Sequence, residues 1–129
     1  MKLFQLSVLL GLFILASCSE DVDAWQVKLD MLYKERDKIR SEASAYPCHD
    51  IGDWGIYAHD ECTFIPYYKP LVNVTDLERQ YKEIQSRISQ HYRKRNIIVD
   101  FAICRQGWST SNPVKVVCLD GEATVVRGI

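Results

Sequence analysis

Two short stretches gather most of the chemistry-bearing side chains of this chain, Cys48-His49-Asp50 and His59-Asp60-Glu61-Cys62. Thiols, imidazoles and carboxylates held in one loop could bind zinc, with Cys48, His49, His59 and Cys62 as the ligand set. The spacing matches no familiar zinc module, and an exported pair of cysteines is more readily oxidised than metallated. The expectation is therefore no metal and no other cofactor. Cysteine catalysis needs a free, low-pKa thiolate beside a base, and the cysteine arithmetic below leaves none spare. Ser109 and Ser111 lie in a polar linker without a Gly-x-Ser-x-Gly elbow. Asp50, Asp53, Asp60 and Glu61 are acids on one loop and could form the carboxylate pair of a glycoside hydrolase, although solvated loop acids are far commoner. No glycine-rich phosphate loop occurs, and the chain is too short for a dinucleotide fold. These absences favour a protein that is not an enzyme.

The same loop carries Trp54, Tyr57, Phe64, Tyr67 and Tyr68. Aromatic side chains in an irregular, stapled segment make a candidate binding surface, for a protein or for a sugar ring. The competing explanation is that they fill a small core.

Stepping outward, Trp25, Leu29, Leu32, Ile39, Ala43 and Tyr46 recur at spacings of three and four, with Arg36 in the one remaining position of the stripe. Lys28, Asp30, Lys34, Glu35, Asp37, Lys38 and Glu42 occupy the other face, which predicts an amphipathic helix ended by Pro47. Thr75 with Glu78 reads as a capping box, opening a second helix lined by Leu77, Tyr81, Ile84, Ile88 and Tyr92. Arg93-Lys94-Arg95 closes it, where cations complement the helix dipole. The triplet Asn73-Val74-Thr75 also fits an N-glycosylation acceptor, here read as chance. Trp54 to His59 suits a short strand, and Ile97 to Cys104 suits a buried one. Val114 to Leu119 and Glu122 to Arg127 flank Asp120-Gly121, a hairpin signal that would pair Cys118 with Ala123 and Val116 with Val125. The expected fold is α+β: two amphipathic helices packed on a small antiparallel sheet of three or four strands, braced by two disulfides.

The N-terminus gives the address. Lys2 is followed by an apolar run through Ala16, shorter than a membrane span, and then by polar Ser19-Glu20-Asp21 without a basic stop-transfer cluster. That is a signal peptide rather than a retained anchor. Ala16-Ser17 would also suit ordinary signal peptidase, but Leu15-Ala16-Ser17-Cys18 resembles the bacterial lipobox. The resemblance implies removal of residues 1–17 and acylation of Cys18, with 18–23 as lipidated cysteine and tether and 24–129 as one domain. Ser19-Glu20-Asp21 resembles the acidic tract that directs Bacteroidetes-type lipoproteins to the cell surface. The implied location is the cell envelope, lipid-anchored in the outer membrane.

Setting Cys18 aside leaves Cys48, Cys62, Cys104 and Cys118, an even set with three possible connectivities. Cys48/Cys62 and Cys104/Cys118 share a separation of 14 positions, and these local pairs are the favoured expectation. The whole chain has 16 basic and 17 acidic side chains. Loss of Lys2 leaves 15 against 17, without the basic excess of a nucleic-acid binder.

The stretches Ile97 to Cys104 and Pro113 to Gly121 resemble a family of small Bacteroidetes lipoproteins of unknown function. In that family a cysteine-tryptophan segment leads to a cysteine-glycine-glycine-proline motif, a helix and a two-cysteine strand pair. Here Thr63-Phe64-Ile65 stands between Cys62 and Pro66 instead of the glycines. The resemblance supports the compartment and the order of parts and supplies no catalytic residue. The functional expectation is a membrane-tethered, non-enzymatic module that binds a protein partner, such as a hydrolase or toxin that it inhibits. The alternative is a small envelope carbohydrate-binding protein or hydrolase using the Cys48–Cys62 loop.

Overall fold

A computed structural model describes residues 24–101 and 112–128. Helix α1 covers 24–43. A short 3-10 turn at Ile51–Asp53 leads into strand β1 (Trp54–Ala58), then β2 (Phe64–Tyr68), helix α2 (Val74–Arg93), β3 (Val114–Leu119) and β4 (Glu122–Arg127). The class is α+β. Among the described residues no helix is long and apolar enough to cross a membrane.

The two helices bury their stripes against each other and against the first hairpin. Leu29 and Leu32 of α1 meet Ile84 and Ile88 of α2, with Trp25, Tyr33, Tyr92 and Phe101 packed around them. A second cluster joins Ala43, Leu77 and Tyr81 to Tyr57 and Ile65, and Ile39 touches both clusters. Each fully buried aliphatic side chain contributes roughly 1.5–3 kcal/mol relative to an exposed one, so Ile65, Ile84 and Ile88 anchor the layer between helices and strands.

The four strands do not form one sheet. They form two antiparallel pairs, β1–β2 and β3–β4, in place of the expected single sheet of three or four strands. In the first, Trp54 faces Tyr68 and Tyr57 faces Ile65. Phe64–Tyr68 pairs as β2 although its Pro66 and aromatics read as irregular. The second pair has the register that its turn dictates, Cys118 opposite Ala123 and Val116 opposite Val125. Asp120 and Gly121 both take positive φ, 52° and 77°, as a two-residue turn with the twist of the strands requires.

The start of α2 departs from the sequence reading, and its end agrees with it. The N-cap of α2 is Asn73, whose side chain accepts from the Asp76 amide at 3.1 Å. Thr75 therefore lies inside the helix, and Glu78 is engaged by the Lys82 ammonium at 2.6 Å rather than reaching back to the cap. Asparagine outranks threonine as a cap, and it comes first in the chain. At the other end Asn96 turns left-handed (φ 57°) and the Ile97 amide donates to the Tyr92 carbonyl at 3.2 Å, a Schellman-type stop. The chain from Ile97 to Phe101 then runs irregularly, not as the buried strand expected from its β-branched residues. Ile98 is 90% exposed. With no strand beside it among the described residues, that composition has no ladder to join; residues 102–104 of the expected strand lie outside the described residues.

Cys48 pairs with Cys118, 70 positions away, and not with Cys62. This corrects the expected local pairing. The bridge carries the second hairpin onto the segment after α1, where the Cys48 amide also donates to the Gly121 carbonyl at 2.9 Å. The hairpin tip thus chooses the partner, by bringing Cys118 to a buried Cys48. Cys62 is likewise disulfide-bonded, and Cys104 lies outside the described residues.

Candidate binding site

The aromatic loop proposed from sequence is divided by strand alternation. Tyr57 and Tyr67 share the face of the first hairpin that packs on the helices, and Trp54 and Tyr68 share the opposite one. Trp54 and Tyr57 are 5% and 7% exposed and belong to the core, so neither offers a face to a ligand. The Tyr57 hydroxyl is bonded to His59 Nδ1 at 2.9 Å, and burial raises its pKa. Tyr68 stacks on Tyr46 with centroids 4.8 Å apart and lies 5.5 Å from the Trp54 ring. Tyr67 lies over Gly55, where any side chain would collide with its ring. Phe64 lies 5.1 Å beneath the Arg127 guanidinium. The five aromatics are thus close in the fold but do not present one continuous surface.

The loop acids serve the backbone. Asp50 accepts from the Gly52 amide at 2.8 Å. Asp60 accepts from the amides of Cys62 and Thr63 at 2.8 and 2.7 Å and from the Thr63 hydroxyl at 3.2 Å. Such turns are the ordinary work of aspartate, and they occupy two members of the proposed carboxylate set. Cys48, bonded to Cys118, has no thiolate to offer a metal. No group of three or more histidine, cysteine or acidic side chains is arranged to hold a metal among the described residues. Ser109 and Ser111 lie outside them.

A different place has the character of a site. A cavity of about 560 Å³ opens where α1 and α2 face β2 and β4, and its walls include Arg36, Arg40, Tyr81, Gln85, Phe64 and Val125. Helical spacing sets its polar wall: Arg36 and Arg40 are one turn apart on α1, as are Tyr81 and Gln85 on α2. The Arg36 guanidinium lies 4.7 Å over the Tyr33 ring and 3.3 Å from the Asp37 carboxylate. Arg40 makes no ion pair among the described residues, and its positive charge acts on the Tyr81 hydroxyl. Burial raises the Tyr81 pKa, against the opposing pull of Arg40 and then Arg36, so its hydroxyl stays protonated at neutral pH. Gln85 is 7% exposed, and its Oε1 has no hydrogen-bond partner among the described residues. An unmatched buried acceptor costs about 1–3 kcal/mol, and one that lines a cavity beside two guanidiniums is matched when a ligand brings a donor. The arrangement offers cationic donors and one acceptor, the complement of an oxyanion that carries a neighbouring N–H or O–H group.

Sequence reasoning passed over this place, although two signals point to it. Arg36 stands where the α1 stripe calls for an apolar residue, and a charge in that position asks for a reason. Gln85, four residues after Tyr81 on the buried side of α2, is the second such mismatch.

Comparison with protein families, with curated proteins and with solved structures finds no match for this chain.

Proposed function

We propose that the chain is a lipid-tethered, non-enzymatic binding module of the cell envelope that engages a protein partner through a carboxylate. The observation that carries this reading is the Arg36–Arg40 cavity with its unmatched Gln85 acceptor. An aspartate or glutamate entering the cavity meets both guanidiniums, and the backbone amide beside it supplies the donor that Gln85 lacks. Arginine forks suit carboxylates, and such bonds are among the stronger ones available. The Cys48–Cys118 bridge supports the reading by fixing the framework in advance, so that little ordering is required on binding. The lipobox and its acidic tract support the envelope address, and acylation at Cys18 supplies the membrane contact. The resemblance to small Bacteroidetes lipoproteins is consistent with that address.

A second reading keeps the site and changes the ligand. Phe64 and Phe101 also line the cavity, and an apolar wall beside arginines suits an acidic sugar such as a uronate, whose ring hydroxyls would serve Gln85. Affinity capture from envelope extracts with the wild type and with Arg36→Gln/Arg40→Gln separates the two. A protein retained by the wild type and lost from the variant, and displaced by an acidic peptide but not by glucuronate, supports the first reading. Retention unchanged by the variant contradicts both.

A further inference from the structure

We propose that the end of the domain formed by the start of α1 and the end of α2 docks onto an anionic membrane surface; this rests on the lipid anchor at Cys18 proposed above. The start of α1 is clamped to the end of α2. Trp25 Nε1 donates to the His91 carbonyl at 3.3 Å, and His91 Nε2 donates to the Trp25 carbonyl at 2.9 Å. Their rings stack with centroids 5.0 Å apart, and the Arg95 guanidinium covers the indole at 4.2 Å. Residue 24 therefore starts beside the basic cluster Arg93-Lys94-Arg95. From Cys18 to Ala24 the chain reaches at most about 20 Å, so the acyl chains hold this end of the domain near the bilayer.

The end is chemically suited to that neighbour. Arg93 and Lys94 are exposed and make no ion pair among the described residues. The next residues past the Asn96 turn are Ile97, 42% exposed, and Ile98, 90% exposed. Basic side chains beside exposed apolar ones are what a headgroup layer accepts: the cations pair with lipid phosphates and the isoleucines enter the acyl boundary. The tether acids Glu20, Asp21 and Asp23 oppose the attraction, so charge alone does not dock the domain and the isoleucines are required. An anionic surface, rather than nucleic acid, is the occupant indicated by the proximity of the lipid and by the near-neutral balance of the whole chain.

The test uses the acylated chain reconstituted into vesicles of phosphatidylcholine alone or mixed with phosphatidylglycerol, with amide hydrogen exchange read across residues 92–99. Exchange at Ile97 and Ile98 should slow on the anionic vesicles and remain fast on the neutral ones, and high salt should abolish the difference. Each basic residue near such a surface contributes roughly fivefold, so Arg93→Glu/Lys94→Glu should remove the slowing. Ile97→Ser/Ile98→Ser should remove it as well, although the basic cluster is intact. Equal exchange on both vesicles, with the chain retained on each, overturns the docking face and leaves the anchor standing. A chain that washes off both kinds of vesicle refutes the anchor and the docking face with it. Slowing of the same amides by a soluble polyanion without vesicles assigns the cluster to another partner and also overturns the proposal.

Discussion

Replacing Cys48 and Cys118 together by alanine should cost the domain about 4 kcal/mol. The bridge closes a loop of 70 positions, for which the chain-entropy relation gives roughly 4.4 kcal/mol at 25 °C, against about 3 kcal/mol for the 14-position loop of a Cys48–Cys62 pair. For a domain of this size 1 kcal/mol shifts Tm by roughly 4–8 °C, so the double variant should melt about 16–32 °C below the wild type. Thermal unfolding followed by circular dichroism, at one protein concentration and without reductant, measures the shift. Peptide mapping under non-reducing conditions should recover the Cys48 peptide joined to the Cys118 peptide. A loss below about 2 kcal/mol, or a Cys48 peptide joined to Cys62, would refute the reasoning, because either result removes the long loop from which the magnitude comes.

Three further outcomes test other parts of the account. Asn73→Ala should destabilise the domain by about 1 kcal/mol while Thr75→Ala stays within about 0.5 kcal/mol, since the cap is the asparagine; urea titration reads both, and the reverse ranking would restore the capping box. Trp54→Phe should be mild and Trp54→Ala should cost about 3–5 kcal/mol, because the ring fills the core while its indole N–H has no partner to lose among the described residues. His59 has its pKa lowered by burial, so the unfolded chain binds the proton more readily than the folded one. Its contribution to stability is present above the ordinary histidine pKa near 6.5 and is lost as pH falls through the lower folded value. A urea series below pH 6.5 should show that decline flattened in His59→Gln, and an unchanged slope would assign it to other groups.

The helices and the second hairpin were legible in the sequence because local rules determine them. The stripes through Leu29 and Leu32 and through Leu77 to Ile88 carry the 3.6-residue period, and Asp120-Gly121 specifies its own turn and therefore its register. The features that were not legible depend on partners remote in the chain. Ile97 to Phe101 has the composition of a strand, but composition does not supply a neighbouring edge. Equal spacing favoured Cys48/Cys62, whereas the hairpin tip delivers Cys118 to Cys48 across the fold. The aromatic loop looked like one surface, but alternation along β1 and β2 puts Trp54 and Tyr57 on opposite faces of the hairpin, and both are buried. The cavity joins side chains of two helices and two strands, so the sequence points to it only through Arg36 and Gln85, polar side chains on the apolar stripes of α1 and α2.

The most direct test of the central claim is a titration of the isotope-labelled chain with a short, capped glutamate peptide, followed by NMR. The binding-module account predicts saturable shifts at the Arg36 side-chain N–H and the Gln85 side-chain amide, weakened by salt and abolished in Arg36→Gln/Arg40→Gln. Saturable shifts located elsewhere, or a response in that double variant equal to the wild type's, would contradict it.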